Sequence, residues 1–172
     1  MIYLSLIHNI SLLVALATVH GLLTRRLKHN AIYPLVSGLL FGWVAVIGMM
    51  TPVKLMPGVI FDGRSIIVGV AGLFGGPVTA LTAAAISAAY RIWLGGGGTA
   101  MGVCVTMEAA AVGVLWHYLR RKHPRMIRPV SLLAFGYLVH LLMLACTVAL
   151  PAAVFRDVLR QTNVVPARAL GV

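Results

Sequence analysis

The chain alternates between long runs without charge and short polar or basic breaks. A helix needs about 20 mostly apolar residues to cross a bilayer, and several of the runs reach that length. Ile2–Leu23 is the first, with His8, Asn9 and His20 as its polar interruptions. The segment from Thr24 to Asn30, with Arg25, Arg26, Lys28 and His29, reads as a short basic loop. Ala31–Thr51 is the second run, with Pro34 near its start and Gly38, Gly42 and Gly48 inside. Such small residues let helices approach closely in lipid. From Pro52 to Arg64 the chain holds two prolines, two glycines and three charges, the composition of a structured loop.

Ser65–Tyr90 carries no charge but is cut by Gly75-Gly76-Pro77. Gly-Gly ends a helix and proline suits the first turn of the next. Arg91 closes this stretch, and Gly95–Gly98 separates it from Thr99–Leu119, which holds Glu108. Arg120, Arg121, Lys122, His123, Arg125 and Arg128 make a second basic loop, and Val130–Leu150 with His140 follows. Beyond Pro151 an amphipathic stretch carries Arg156, Asp157 and Arg160, and Val164–Val172 is too short to span.

Basic loops stay on the cytoplasmic side. The chain must therefore cross an even number of times between the two basic clusters. Ala31–Thr51 and Thr99–Leu119 supply two crossings, so Ser65–Tyr90 must supply none or two. The spacing predicts a helical hairpin, Ser65–Phe74 and Pro77–Trp93, turning at Gly75-Gly76. Its first arm rises only about 15 Å, so it is re-entrant or a short span shielded by protein. The N-terminus, Arg64 and Arg91 then fall on the extracytoplasmic side. The expected fold is an all-α polytopic membrane bundle of five or six segments in one domain, residues 1–172.

Composition agrees. The 172 residues are 60% hydrophobic and 10% charged, with mean hydropathy +0.98. A soluble domain carries about 25% charged residues, so a soluble enzyme and a disordered chain are both excluded. The net charge of +11 would suit nucleic acid, but the cations sit in short clusters between apolar runs, so the bilayer is the expected partner. The first run lacks a basic n-region and is long enough to span, so it reads as a membrane segment and not a cleaved leader. Cys104 and Cys146 both fall inside apolar runs and read as small packed residues, without a disulfide framework. The six histidines and three acids show no metal-ligand spacing. No nucleophile–base pair is visible, and no cofactor is expected.

Arg64 and Arg91 are the sharpest candidates for chemistry. Arginine offers five fixed donors suited to a carboxylate or phosphate, and two at the mouth of one hairpin would form an anion site. The competing readings are headgroup anchoring and an ion pair with Asp62. Asp62 reads first as a D-G turn or helix cap; its functional reading, as a member of the ligand site, is an orienting partner for Arg64. Cys104 and Thr106 lie one to two turns into the next helix, at the depth of a ligand held by the two arginines. Glu108 is the one acid inside a span, and His140 lies at similar depth in the next, so the two form a candidate intramembrane polar pair. Trp43, Trp93 and Trp116 read as belt or core aromatics.

The residues from Met50-Thr51-Pro52 through Pro57-Gly58-Val59-Ile60-Phe61-Asp62-Gly63-Arg64-Ser65, then Gly72-Leu73-Phe74-Gly75-Gly76-Pro77, Tyr90-Arg91 and Gly95-Gly96 resemble the LytS-type five-transmembrane receptor domain. That domain is the membrane input module of bacterial LytS/YhcK sensors. The resemblance covers about residues 31–162 and implies a sensory role in the bacterial plasma membrane, ahead of a histidine kinase or a diguanylate cyclase. Some members are linked to cell-wall control. Neither output domain is legible here: Gly95–Gly98 lacks the acidic pair of a cyclase signature, and no phosphoacceptor histidine box appears. The expectation is a truncated input module or one that works with a separate output protein, with a homodimer among the expected partners. The rival reading is the substrate-binding membrane subunit of a small-solute transporter, since broken helices around a central site are also a carrier device.

Overall fold

The computed structural model describes residues 2–50, 53–56, 59–61, 63–95 and 98–149. Six α-helices account for nearly all of them: α1 (Ile2–Leu27), α2 (Tyr33–Met50), α3 (Arg64–Gly75), α4 (Pro77–Leu94), α5 (Thr99–Lys122) and α6 (Pro129–Ala149). Four stretches are long and apolar enough to cross a membrane: Ile7–Leu27, Tyr33–Met50, Thr99–Lys122 and Pro129–Cys146. The chain is a multi-pass membrane bundle. The loop expected between α2 and α3 holds a short antiparallel hairpin, β1 (Val53–Met56) and β2 (Val59–Phe61), in which Val53 pairs with Phe61. In the sequence, Pro57-Gly58 stands between the two strands.

The predicted helical hairpin forms. Gly76 is at once the C-cap of α3 and the N-cap of α4, with φ +81°. Its N–H donates to Gly72 O at 2.9 Å, and its carbonyl accepts from Ala80 N at 3.0 Å. Only glycine takes that backbone conformation without steric cost, and Pro77 begins the next helix with its φ already set. The 12 residues of α3 extend only about 18 Å, well short of the apolar thickness of a bilayer.

The α3/α4 hairpin is packed between α2 and α5, with α1 laid on α2 and α6 on α5. Glycine sets these contacts. A Cβ on Gly72 would come within 2.9 Å of the Gly113 carbonyl carbon and of Val114 N, so α3 and α5 meet backbone to backbone. Gly38 and Gly42 leave room for the side chains of Thr82 and Ile86 of α4. Where lipid removes the hydrophobic drive between helices, this close van der Waals packing holds them together. Phe41, Val68, Ala71, Ala80 and Ala83 fill the centre, and Leu73, Ala109, Phe135 and Val139 join α6 to it. On the rim, Val130 is 77% exposed and Leu133 74%, the apolar outer face that hydrocarbon covers.

Two helices run on through the expected basic loops. α1 continues through Arg25 and Arg26, and α5 through Arg120, Arg121 and Lys122. Arginine and lysine are good helix formers, and cations in a last turn complement the negative end of the helix dipole. Both clusters lie at one end of the bundle. Thr24 Oγ1 shares a hydrogen bond with Tyr33 OH at 3.0 Å, and Thr79 Oγ1 donates to Pro34 O at 2.9 Å. These contacts join the end of α1, the start of α2 and the start of α4. His117 of α5 docks on the same turn: its Nδ1 donates to Leu73 O at 3.1 Å, while Arg120 Nη2 donates to Phe74 O at 3.3 Å. The last carbonyls of a helix lack partners within it, and here α5 supplies them for α3.

Candidate functional site

The other end of the bundle gathers the two arginines. α3 begins at Arg64, directly after the β-hairpin, and Arg91 lies in the last turn of α4. The chain leaves α4 through Gly95, at φ +68°, whose N–H returns to Arg91 O and Ile92 O. Arg91 Nη1 donates to Gly95 O at 3.1 Å, and Arg64 Nη1 donates to Met49 Sδ at 3.3 Å. Each side chain thus has a tether on its own side of the site.

Their meeting point is Gly102, in the first turn of α5. A Cβ built there would lie 2.7 Å from Arg91 Nε and 3.0 Å from Arg64 Nη2. The two nitrogens are therefore no farther apart than the sum of those distances. A Cβ on Gly98 would lie 3.1 Å from Arg91 Nη2. The guanidinium of Arg91 is laid along the bare first turn of α5. No side chain caps that helix start at Gly98, and the positive end of the helix dipole adds to the charge of the arginines. Two cations over one helix N-terminus repel each other and favour an anion between them.

The remaining sequence candidates are placed as follows. Thr106 is fully buried one turn below Gly102, and its hydroxyl donates to Gly102 O at 2.8 Å. It braces the glycine from beneath. Cys104 turns instead toward α6, where its sulfur is 3.8 Å from Cys146 Sγ. Glu108 has both carboxylate oxygens buried without a hydrogen-bond partner. His140 Nδ1 donates to Gly136 O of its own helix at 2.8 Å, and Glu108 and His140 are close enough to interact electrostatically across α5 and α6. Gly75, Gly76 and Pro77 form the turn as expected, at the opposite end from the arginines. Asp62, Gly96, Gly97 and the segment with Arg156, Asp157 and Arg160 lie outside the described residues.

Three contributors escaped the sequence reading. Gly102 supplies the notch, Met49 holds Arg64, and His117 caps α3. The Gly98/Gly102 spacing of four residues was the one local signal for the notch. Two apolar cavities, of about 280 and 240 Å³, lie against α1 and α6 and are lined by neither arginine. Among the described residues no cluster of histidine, cysteine and acidic side chains is arranged to hold a metal.

The family comparison covers nearly the whole chain. The model described as the 5TMR of 5TMR-LYT matches residues 9–163, reaching back into α1 beyond the span that the motifs alone delimit. No curated protein and no solved structure matches the chain. A match of that extent, on a bundle of membrane helices with the expected hairpin, settles the family: the chain belongs to the 5TMR-LYT five-transmembrane receptor domains.

Proposed function

We propose that this receptor domain is the signal-input module of a bacterial sensor and that it reads a small extracytoplasmic anion, a carboxylate first, through Arg64 and Arg91. The observation that carries this is the convergence of both guanidinium groups on Gly102 at the uncapped start of α5. Neutralising charge is scarce, since the sequence holds three acids against 14 lysines and arginines. A carboxylate takes two parallel N–H donors from arginine, and two such cations fix its position. The ligand would then bridge the start of α3, the end of α4 and the start of α5. Its occupancy pulls the hairpin against α5 along the Gly72–Gly113 contact, toward the basic end.

Sidedness follows from charge. The basic clusters share one end of the bundle, and by the positive-inside rule that end faces the cytoplasm. The N-terminus, Arg64 and Arg91 are then extracytoplasmic, and an output kinase or cyclase, on the same chain or a separate one, takes the signal at the basic end. Control of the cell wall through a phosphorelay is the corresponding physiological expectation. The half-length α3 also suits a carrier subunit, and one experiment separates the two. In sealed proteoliposomes, outside carboxylate is expected to change the emission of Trp93, two residues from Arg91, without accumulating in the lumen. Accumulation would establish the carrier, and silence across a panel of small carboxylates and phosphates would sink the anion reading.

A further inference from the structure

We propose that Cys104 and Cys146 are a redox-active pair, a dithiol that a small neutral disulfide oxidises to an internal bond between α5 and α6. The two sulfurs face each other at 3.8 Å across neighbouring helices, from positions 42 residues apart in the chain. Both side chains are half-buried and carry free thiols. They are the chain's two cysteines, so an internal bond has one possible pairing. A disulfide needs the sulfurs at about 2.05 Å, and α6 has room to make that adjustment. It lies at the edge of the bundle, and around Cys146 its Leu141 and Leu144 are exposed, which opens a lipid-side path to a neutral reagent. Glu108, one turn along α5 from Cys104, has both carboxylate oxygens buried without a hydrogen-bond partner.

The step balances as thiol–disulfide exchange. One cysteine, as thiolate, attacks a sulfur of the reagent and breaks its S–S bond, releasing one reagent thiol. The second cysteine attacks the mixed disulfide, forms the internal S–S bond and releases the other reagent thiol. The two cysteine protons leave on those thiols, the protein loses two electrons, and the reagent gains them. The product ties α6 to α5 two residues from Gly102, where the arginines converge. The inference does not rest on the anion reading, because the pair is defined by the α5/α6 contact alone.

The test uses the full chain in detergent micelles with one equivalent of 4,4′-dithiodipyridine. The parent is expected to release two thiopyridones per chain and to show, by intact mass, the loss of two hydrogens with no adduct. Cys104→Ser and Cys146→Ser should each release one thiopyridone and keep one thiopyridyl adduct. Arg64→Ala should behave as the parent. Stable thiopyridyl adducts on the parent, a disulfide-linked dimer, or an unmodified parent would each overturn the proposal. Because the single variants report their own remaining thiol, a folding defect in one is detected by the loss of reaction in that variant alone.

Discussion

Gly102→Ala separates binding from folding. The added Cβ would sit 2.7 Å from Arg91 Nε and 3.0 Å from Arg64 Nη2, with Arg91 Cδ at 3.1 Å. All three belong to long, flexible side chains, so the arginines swing aside while the helix backbones stay in place. Alanine gains about 1 kcal/mol of helix propensity over glycine, and forcing an arginine off its rotamer costs about 0.5–1.5 kcal/mol. The two effects nearly cancel. Binding does not share that cancellation, because a displaced guanidinium loses its hydrogen bond to the anion. A charge-assisted bond contributes about 1.5–3 kcal/mol, which is about a ten- to hundredfold rise in Kd. Gly72→Ala is the control. Its Cβ would lie 2.9 Å from backbone atoms of Gly113 and Val114, which cannot swing away, and overpacking of that kind costs about 1–3 kcal/mol. Thermal unfolding in detergent and calorimetry with a small carboxylate read the two effects separately. A Gly102→Ala protein that binds at parental affinity, or that unfolds as early as Gly72→Ala, refutes the reasoning.

Three further outcomes are expected. Gly76→Leu should express and unfold worse than Gly136→Leu, because Gly76 has φ +81° and the His117 ring 3.1 Å from its Cβ position, whereas Gly136 has nothing within 4 Å; equal unfolding midpoints would count against the turn's role. His117→Ala should lower stability by about 1–3 kcal/mol, the cost of leaving a buried carbonyl unpaired, here Leu73 O; denaturant titration at unchanged m-value measures it, and a neutral variant would remove the cap argument. A cysteine at Lys122, beyond the reagent background of the parent, should react with an impermeant maleimide only from the cytoplasmic side, since the positive-inside rule places that end there; labelling from outside sealed cells would invert the topology.

The hairpin was legible because its signals are local. Gly75-Gly76-Pro77 combines a helix stop and a helix start in three residues, and α3 and α4 end within one residue of their expected bounds. The bounds of α1 and α5 were less legible, because charge marks a membrane boundary without ending a helix. Arg25, Arg26 and Arg120 to Lys122 continue their helices and cap their dipoles. The β-hairpin was hidden by its short strands, four and three residues, in a stretch dominated by proline and glycine. The arginines could be named from sequence, but not the surface that brings them together. Gly102 becomes a notch only once α4 and α5 are docked, and Met49 reaches Arg64 from a helix 15 positions earlier. The cysteines show the same limit: their positions along the chain suggest two packed residues, and only the α5/α6 contact makes them a pair.

The central claim is that Arg64 and Arg91 act on one anion. A calorimetric double-mutant cycle tests it, using the parent, Arg64→Ala, Arg91→Ala and the double variant against the tightest small carboxylate. Groups that share a ligand are energetically coupled, whereas independent sites add. The account predicts a loss of about tenfold or more in each single variant, and a loss in the double variant that departs from the sum of the two. Four coincident isotherms would contradict it and leave the arginines as headgroup anchors.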